Sequence, residues 1–168
     1  MDQQSIKQIH DLDGIARALG RIPSGLFIIS AHQAGKDLTM LASWVQQCSF
    51  DPPRVTLGLA RGRAISQILE AGSEFCISIL PEGRKDLVSR FGKPSEHPLE
   101  GIATHKPGQL ALALSDACAW LLCHSHSHLS AGDHDILVAD VLAGDRGIDA
   151  EGLPPKPAIH LRSSGLRY

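Results

Sequence analysis

The Asp51-Pro52-Pro53 triplet interrupts the stretch "MLASWVQQCSFDPPRVTLGLARGRA" (residues 40–64), and no helix can run through it. Each proline removes a backbone donor and biases its predecessor away from helical geometry. What remains is two extended runs, 38–50 and 54–60, joined at a turn. In the second run Val55, Leu57 and Leu59 alternate with Thr56 and Gly58, the period of a half-buried strand. The first run is furnished differently. Trp44, Gln46, Gln47, Cys48 and Ser49 place an aromatic ring and a row of hydrogen-bonding groups where Val and Ile would pack. Such a strand raises the question of what, if anything, is laid against it.

The rest of the chain has the same cadence of short elements. Leu12, Ile15, Ala16 and Leu19 fall at helical spacing, with Asp11 or Asp13 as the N-cap and Gly20 as the stop. "RIPSGLFIISA" predicts a strand, and "HQAGKD" a hairpin turn. "AISQILEAG" (64–72) and "RKDLVSRFG" predict short helices closed by Gly72 and Gly92, with the strand "FCISIL" between them. Residues 93–109, with three prolines and two glycines, predict a loop. "CAWLLCHSHSHLSAGDHDILVADVLAGD" predicts two strands joined at Ala131-Gly132-Asp133, and the Pro-rich C-terminus a short strand around Ile159 to Arg162. No repeat or linker divides residues 1–168, so a single domain is expected. Strands outnumber helices. The expected fold is mainly β, an antiparallel, Greek-key-like barrel with short helices outside it.

Composition narrows the function classes. With 43% apolar and 20% charged residues, 168 residues suffice for one buried core. A formal charge of −2 provides no basic face for nucleic acid. No apolar run approaches the roughly 20 residues of a membrane span. The opening "MDQQSIKQIHDLDG" is acidic and polar, unlike a secretory leader. Cys48, Cys76, Cys118 and Cys123 form no CxxC pair and sit in or beside apolar stretches, which predicts buried free thiols in a reducing cytoplasm.

Three motifs have chemical content. His124, His126 and His128 alternate on one predicted strand, which puts the three rings on one face. Alternate residues lie about 7 Å apart and the outer two about 13 Å, too far for one ion to bind all three. The choice is a two-His site completed by Asp133 or His134, or a solvated face; the second is simpler, and no metal is expected. "AGDHD" (131–135) is either a capped turn with an exposed histidine or a carboxylate-held His134 at the lip of a pocket. Arg61 and Arg63 flank Gly62 ahead of a helix, which makes either a phosphate seat or a solvated loop. There is no GxSxG, GxGxxG or P-loop pattern, so hydrolase and common nucleotide-binding routes are unsupported.

Taken together these segments resemble the flavin reductase-like family, built on an FMN-binding split barrel. The run "MLASWVQQCSFDPPRVTLGLARGRAI" lies on that family's pattern without a gap, with Leu41 and Ser43 where Thr and Asn are usual. It is most similar to the reductase module of cyanobacterial flavodiiron proteins. "GRIPSGLFIISA", "CAWLLC", "AGDHDILVADVLAG" and the terminal "LRY" agree, so the resemblance covers residues 11–168.

The resemblance implies that Met40, Leu41, Ala42, Ser43, Trp44, Val45, Gln46 and Ser49 lie along the flavin. It implies that Arg61, Arg63 and the amide of Ala64 take the 5′-phosphate, and that Phe91 covers part of the pocket. His134 would stand on the nicotinamide side as the candidate catalytic residue. FMN is favoured over FAD, with NADH or NADPH as electron donor. The implied activity is an NAD(P)H:flavin oxidoreductase, a homodimer passing electrons to a separate acceptor. The alternatives are a non-catalytic FMN-binding electron-transfer protein, and a metal or haem site on the histidine strand.

Overall fold

The short apolar runs assemble into one seven-stranded antiparallel sheet in the computed structural model, which describes residues 12–70, 72–149 and 151–166. In chain order the elements are α1 (Leu12–Leu19), β1 (Phe27–Gln33), β2 (Lys36–Ala42), β3 (Val45–Phe50), β4 (Pro53–Ala60) and α2 (Ala64–Glu70). Then follow β5 (Glu74–Ile79), α3 (Lys85–Phe91), β6 (Thr104–His105), β7 (Ala113–Leu114), β8 (Ala119–Ser130) and β9 (His134–Arg146). The large sheet runs β2-β1-β5-β8-β9-β4-β3, and β6 pairs with β7 inside the predicted 93–109 loop region and just beyond it.

Turn chemistry sets the register. Ala34 and Gly35 both take positive φ, 51° and 76°, as a two-residue hairpin requires, and β1 and β2 pair from Gln33–Lys36 to Phe27–Ala42. Asp51 and a cis Pro52 form the turn between β3 and β4, where Phe50 pairs with Pro53.

The single strand expected over 38–50 is instead two, broken at Ser43–Trp44. β2 and β3 form opposite edges of the sheet, yet only those two residues join them. Three Cα steps reach at most about 11 Å. The sheet must therefore curl until its edges meet at that end. The result is a barrel left open along the seam between β2 and β3.

The barrel interior holds Ile29, Met40, Leu57, Leu59, Phe75 and Leu137. A second cluster lies on the outer face of β1, where Ile28 packs with Leu80, Leu87, Phe91 and Leu114, and Leu41 joins it. This explains the unbroken apolar run in β1: Ile28 and Ile29 point to opposite faces and both are fully buried. Cys76, Cys118 and Cys123 are buried, and burial pushes the Cys76 and Cys123 thiols up to about 12. Cys48 departs from expectation. It is exposed, because it occupies an irregularity in the edge strand β3 between Gln47 and Ser49.

Residues 25–158 form one compact unit; the other joins the N-terminal segment up to Ser24 with the segment from Ile159 onward. In the second unit Ser24 and His160 exchange backbone hydrogen bonds of 3.0 and 2.7 Å. The strand expected around Ile159–Arg162 is only this isolated bridge. The ladder stops because the Ile22 amide turns back to the Leu19 carbonyl at 3.1 Å, closing α1. Asp13 lies inside the first turn of α1 and is not its cap. Asp11, and Arg167 and Tyr168 of the terminal "LRY", lie outside the described residues. Among the described residues no helix is long and apolar enough to cross a membrane.

Candidate active site

Where the open edge of β2 faces the turn between β4 and α2, a cleft of about 290 Å³ is lined by Thr39, Met40, Arg63, Ala64, Phe91 and Lys93. Local structure explains each placement. Gly62 takes φ 81°, letting the chain turn sharply out of β4. Arg63 then begins the helix, its carbonyl accepting from the Ser66 amide at 3.1 Å. The Ser66 hydroxyl ties α2 back to the Ala60 carbonyl at 3.2 Å. Phe91 closes α3 and packs with Leu41 in the outer cluster, so its ring joins the cleft wall to the core. Lys93 follows after Gly92, the residue that caps α3.

Of the predicted site residues, this cleft gathers Met40, Arg63, Ala64 and Phe91. The second cation in it is Lys93, which sequence reading left in an unassigned loop; its position just after Phe91 was the available signal. Arg61 is engaged elsewhere. Its Nε and Nη2 donate to Asp135 at 3.0 and 2.8 Å, its guanidinium reaches Ser130, and its amide donates to the Asp133 carbonyl. That fork ties the end of β4 to the β8–β9 hairpin and holds the Asp135 carboxyl below its ordinary range.

Trp44 and His134 form a separate pair. Their ring centroids are 4.6 Å apart and the planes tilt by 47°. Trp44 is 40% exposed, whereas His134 is 7% exposed, so the capped turn with an exposed histidine is not what forms. His134 Nδ1 lies 2.8 Å from Asp133 Oδ1. An ionised carboxylate only accepts, so the ring donates from Nδ1 and Asp133 is held below its ordinary range by that bond. Ala42 and Val45 pack against the barrel core on either side of the link that carries Ser43. Gln46 and Ser49 sit on β3, opposite Thr56 and Arg54.

The histidine strand also departs from expectation. An irregularity in β8 between Ser125 and Ser127 makes His126 an extra residue, so His124 faces Asp140 while His128 faces Leu137. Those partners are three residues apart on β9, which puts His124 and His128 on opposite faces. His126 instead lies 3.3 Å from Asp140, the carboxylate that also accepts from Arg54 at 2.6 Å. Among the described residues no three His, Cys, Asp or Glu side chains converge as metal ligands.

The geometry is thus an antiparallel barrel open along one seam, with Arg63 and Lys93 in a cleft beside the open edge. Residues 19–164 match the family model described as "Flavin reductase like domain". The chain belongs to the flavin reductase-like family. It is 38% identical over 169 residues to Diflavin flavoprotein A 1 of Synechocystis, covering 97% of this chain and 29% of that protein. The chain thus spans under a third of the length of this curated relative. Among solved structures it is similar to the NADH:FAD oxidoreductase SgcE6 of Streptomyces globisporus in complex with NAD and FAD fragments, with a TM-score of 0.79 at 23% identity over 94% of this chain and 90% of that one. The styrene monooxygenase flavin reductase of Pseudomonas putida superposes with a TM-score of 0.75 at 26% identity, covering 88% of this chain and 91% of that one.

Proposed function

We propose that the protein is an FMN-dependent NAD(P)H:flavin oxidoreductase whose flavin occupies the cleft beside β2. The observation that carries this reading is the pairing of Arg63 and Lys93 next to Ala64, with Phe91 and Met40 as apolar wall. Two cations suit a phosphate dianion. Ala64 is small enough for a phosphate to approach the backbone. Among the described residues β2 has β1 as its only strand neighbour, so its outer row of N–H and C=O groups suits the polar edge of an isoalloxazine. The donor set therefore fits FMN.

When bound, the flavin supplies the redox chemistry, taking a hydride from the reduced nicotinamide. The chain's own residues bind and orient. Arg63 and Lys93 hold the phosphate end, Phe91 and Met40 shield the ring from water, and Leu41 anchors Phe91. Asp133 accepts from His134 Nδ1 and so orients the ring, which would stand on the nicotinamide side. Trp44 packs against that ring and limits its rotation. Trp44 and Leu129, both partly exposed, would suit contact with a second copy of the chain, and electrons would pass to a separate acceptor in the cytoplasm.

The test is an anaerobic titration of the protein with one equivalent of FMN, then NADH or NADPH. Bleaching of the flavin band faster than for free FMN supports the reductase. Flavin that binds but stays oxidised moves the protein to the electron-transfer class.

A further inference from the structure

A larger cleft, about 880 Å³, adjoins the candidate flavin cleft and shares Asp37, Leu38 and Ser95 with it. Its own walls are the β1–β2 hairpin at Gly35 and Lys36 and the loop from Glu96 to Glu100, with Thr104 beyond. A ligand entering the flavin cleft along β2 can therefore continue into the larger one. Its volume suits a nucleotide-sized group.

Charge decides which nucleotide. Three carboxylates line this cleft, Asp37, Glu96 and Glu100, against the single ammonium of Lys36; Asp37 is paired with His32 Nδ1 at 2.7 Å, and His97 is the remaining titratable group of the lining. Arg90, whose helix leads into the loop, donates from Nε to the Pro98 carbonyl at 3.0 Å and from Nη2 to the Glu100 carbonyl. Its fork is thus turned onto the loop backbone. Carboxylates accept from a ribose 2′-hydroxyl, whereas a 2′-phosphate calls for an arginine.

We propose that the larger cleft takes the adenylate half of a nicotinamide dinucleotide with a free ribose 2′-hydroxyl, so that the protein uses NADH in preference to NADPH. This rests on the flavin reading above, and its test has a readout independent of catalysis. Binding of 5′-AMP and of adenosine 2′,5′-bisphosphate to the FMN-loaded protein is compared by calorimetry. 5′-AMP should bind at least about tenfold more tightly, the factor produced by a like-charge penalty of ~1.4 kcal/mol. It should also compete with NADH in turnover. In the Glu96→Gln/Glu100→Gln variant the gap between the two ligands should close, mainly through tighter binding of the bisphosphate.

Equal binding of the two ligands, or a preference that survives in the variant, overturns the proposal. So does 5′-AMP that binds without raising the KM for NADH, since the cleft would then serve another adenylate, such as that of FAD. If the protein fails to bind FMN, the flavin reading fails on its own. The same two ligands, added to the flavin-free protein, then decide the cleft.

Discussion

The indole of Trp44 rests on Gly58: a methyl group at position 58 would come within 2.6 Å of its ring carbon Cε3. The Gly58 amide also donates to the Trp44 carbonyl at 2.8 Å. Trp44 lies in the two-residue link between the barrel's edge strands, so this contact sets the course of the link and, with it, how far the edges stand apart.

Substituting Gly58→Val should therefore displace the indole and cost about 1–3 kcal/mol, the usual range for overpacking. The chain has two tryptophans. In a Trp120→Phe background the emission should shift to the red as Trp44 leaves His134. An unshifted spectrum would mean that the link does not depend on this contact.

Arg61→Ala should act on stability and not on flavin affinity. Removing a half-exposed ion pair with Asp135 lowers stability modestly. Chemical denaturation alongside FMN titration separates the two effects. A large loss of FMN affinity with unchanged stability would return Arg61 to the phosphate site.

Glu74 clamps the loop beyond β6. Its carboxylate accepts from the amides of Leu110, Ala111 and Gln109 at 2.9, 3.2 and 3.3 Å. Partial burial works to raise its pKa, but these bonds outweigh it and hold the group below its ordinary 4.5. A lowered folded-state pKa gives stability that is present above the unfolded value and lost as pH falls through the folded one. Glu74→Gln should lower stability at neutral pH by about 1 kcal/mol and flatten the decline below pH 4.5. An acid limb as steep as wild type would rule out the clamp.

Arg90→Ala should loosen the loop that forms the larger cleft without unfolding the barrel. Hydrogen exchange at the Glu100 and Ile102 amides, bonded to His97 and Leu99, should speed up by about fivefold for ~1 kcal/mol lost. Arg90→Lys, which keeps the charge but not the fork, should restore only part of the protection. Wild-type exchange in Arg90→Ala would show that the loop holds itself.

The barrel was legible because β4 alternates cleanly, β1 and β5 are short apolar runs, and the turns carry glycine or proline, as at Ala34-Gly35, Asp51-Pro52 and Ala131-Gly132-Asp133. The break at Ser43–Trp44 was not, since neither residue is a strand breaker and the interruption comes from the sheet curling on itself. The pairing of Arg61 with Asp135 was hidden for a related reason. Both arginines flank one glycine, and only the β8–β9 hairpin, far along the chain, supplies the Asp135 that draws one away. An added residue at His126 leaves no mark in a run of alternating His and Ser. The cleft itself was half legible, through Met40, Arg63, Ala64 and Phe91.

The central claim is that Arg63 and Lys93 seat the phosphate of FMN, and FMN differs from riboflavin only in that phosphate. Affinities for both should be measured by flavin fluorescence quenching in wild type and in Arg63→Ala/Lys93→Ala. Wild type should prefer FMN by about 2–4 kcal/mol, roughly 30- to 1,000-fold, and the double variant should bind the two nearly alike. Equal affinities in wild type, or a preference for FMN that persists without both cations, would contradict the account.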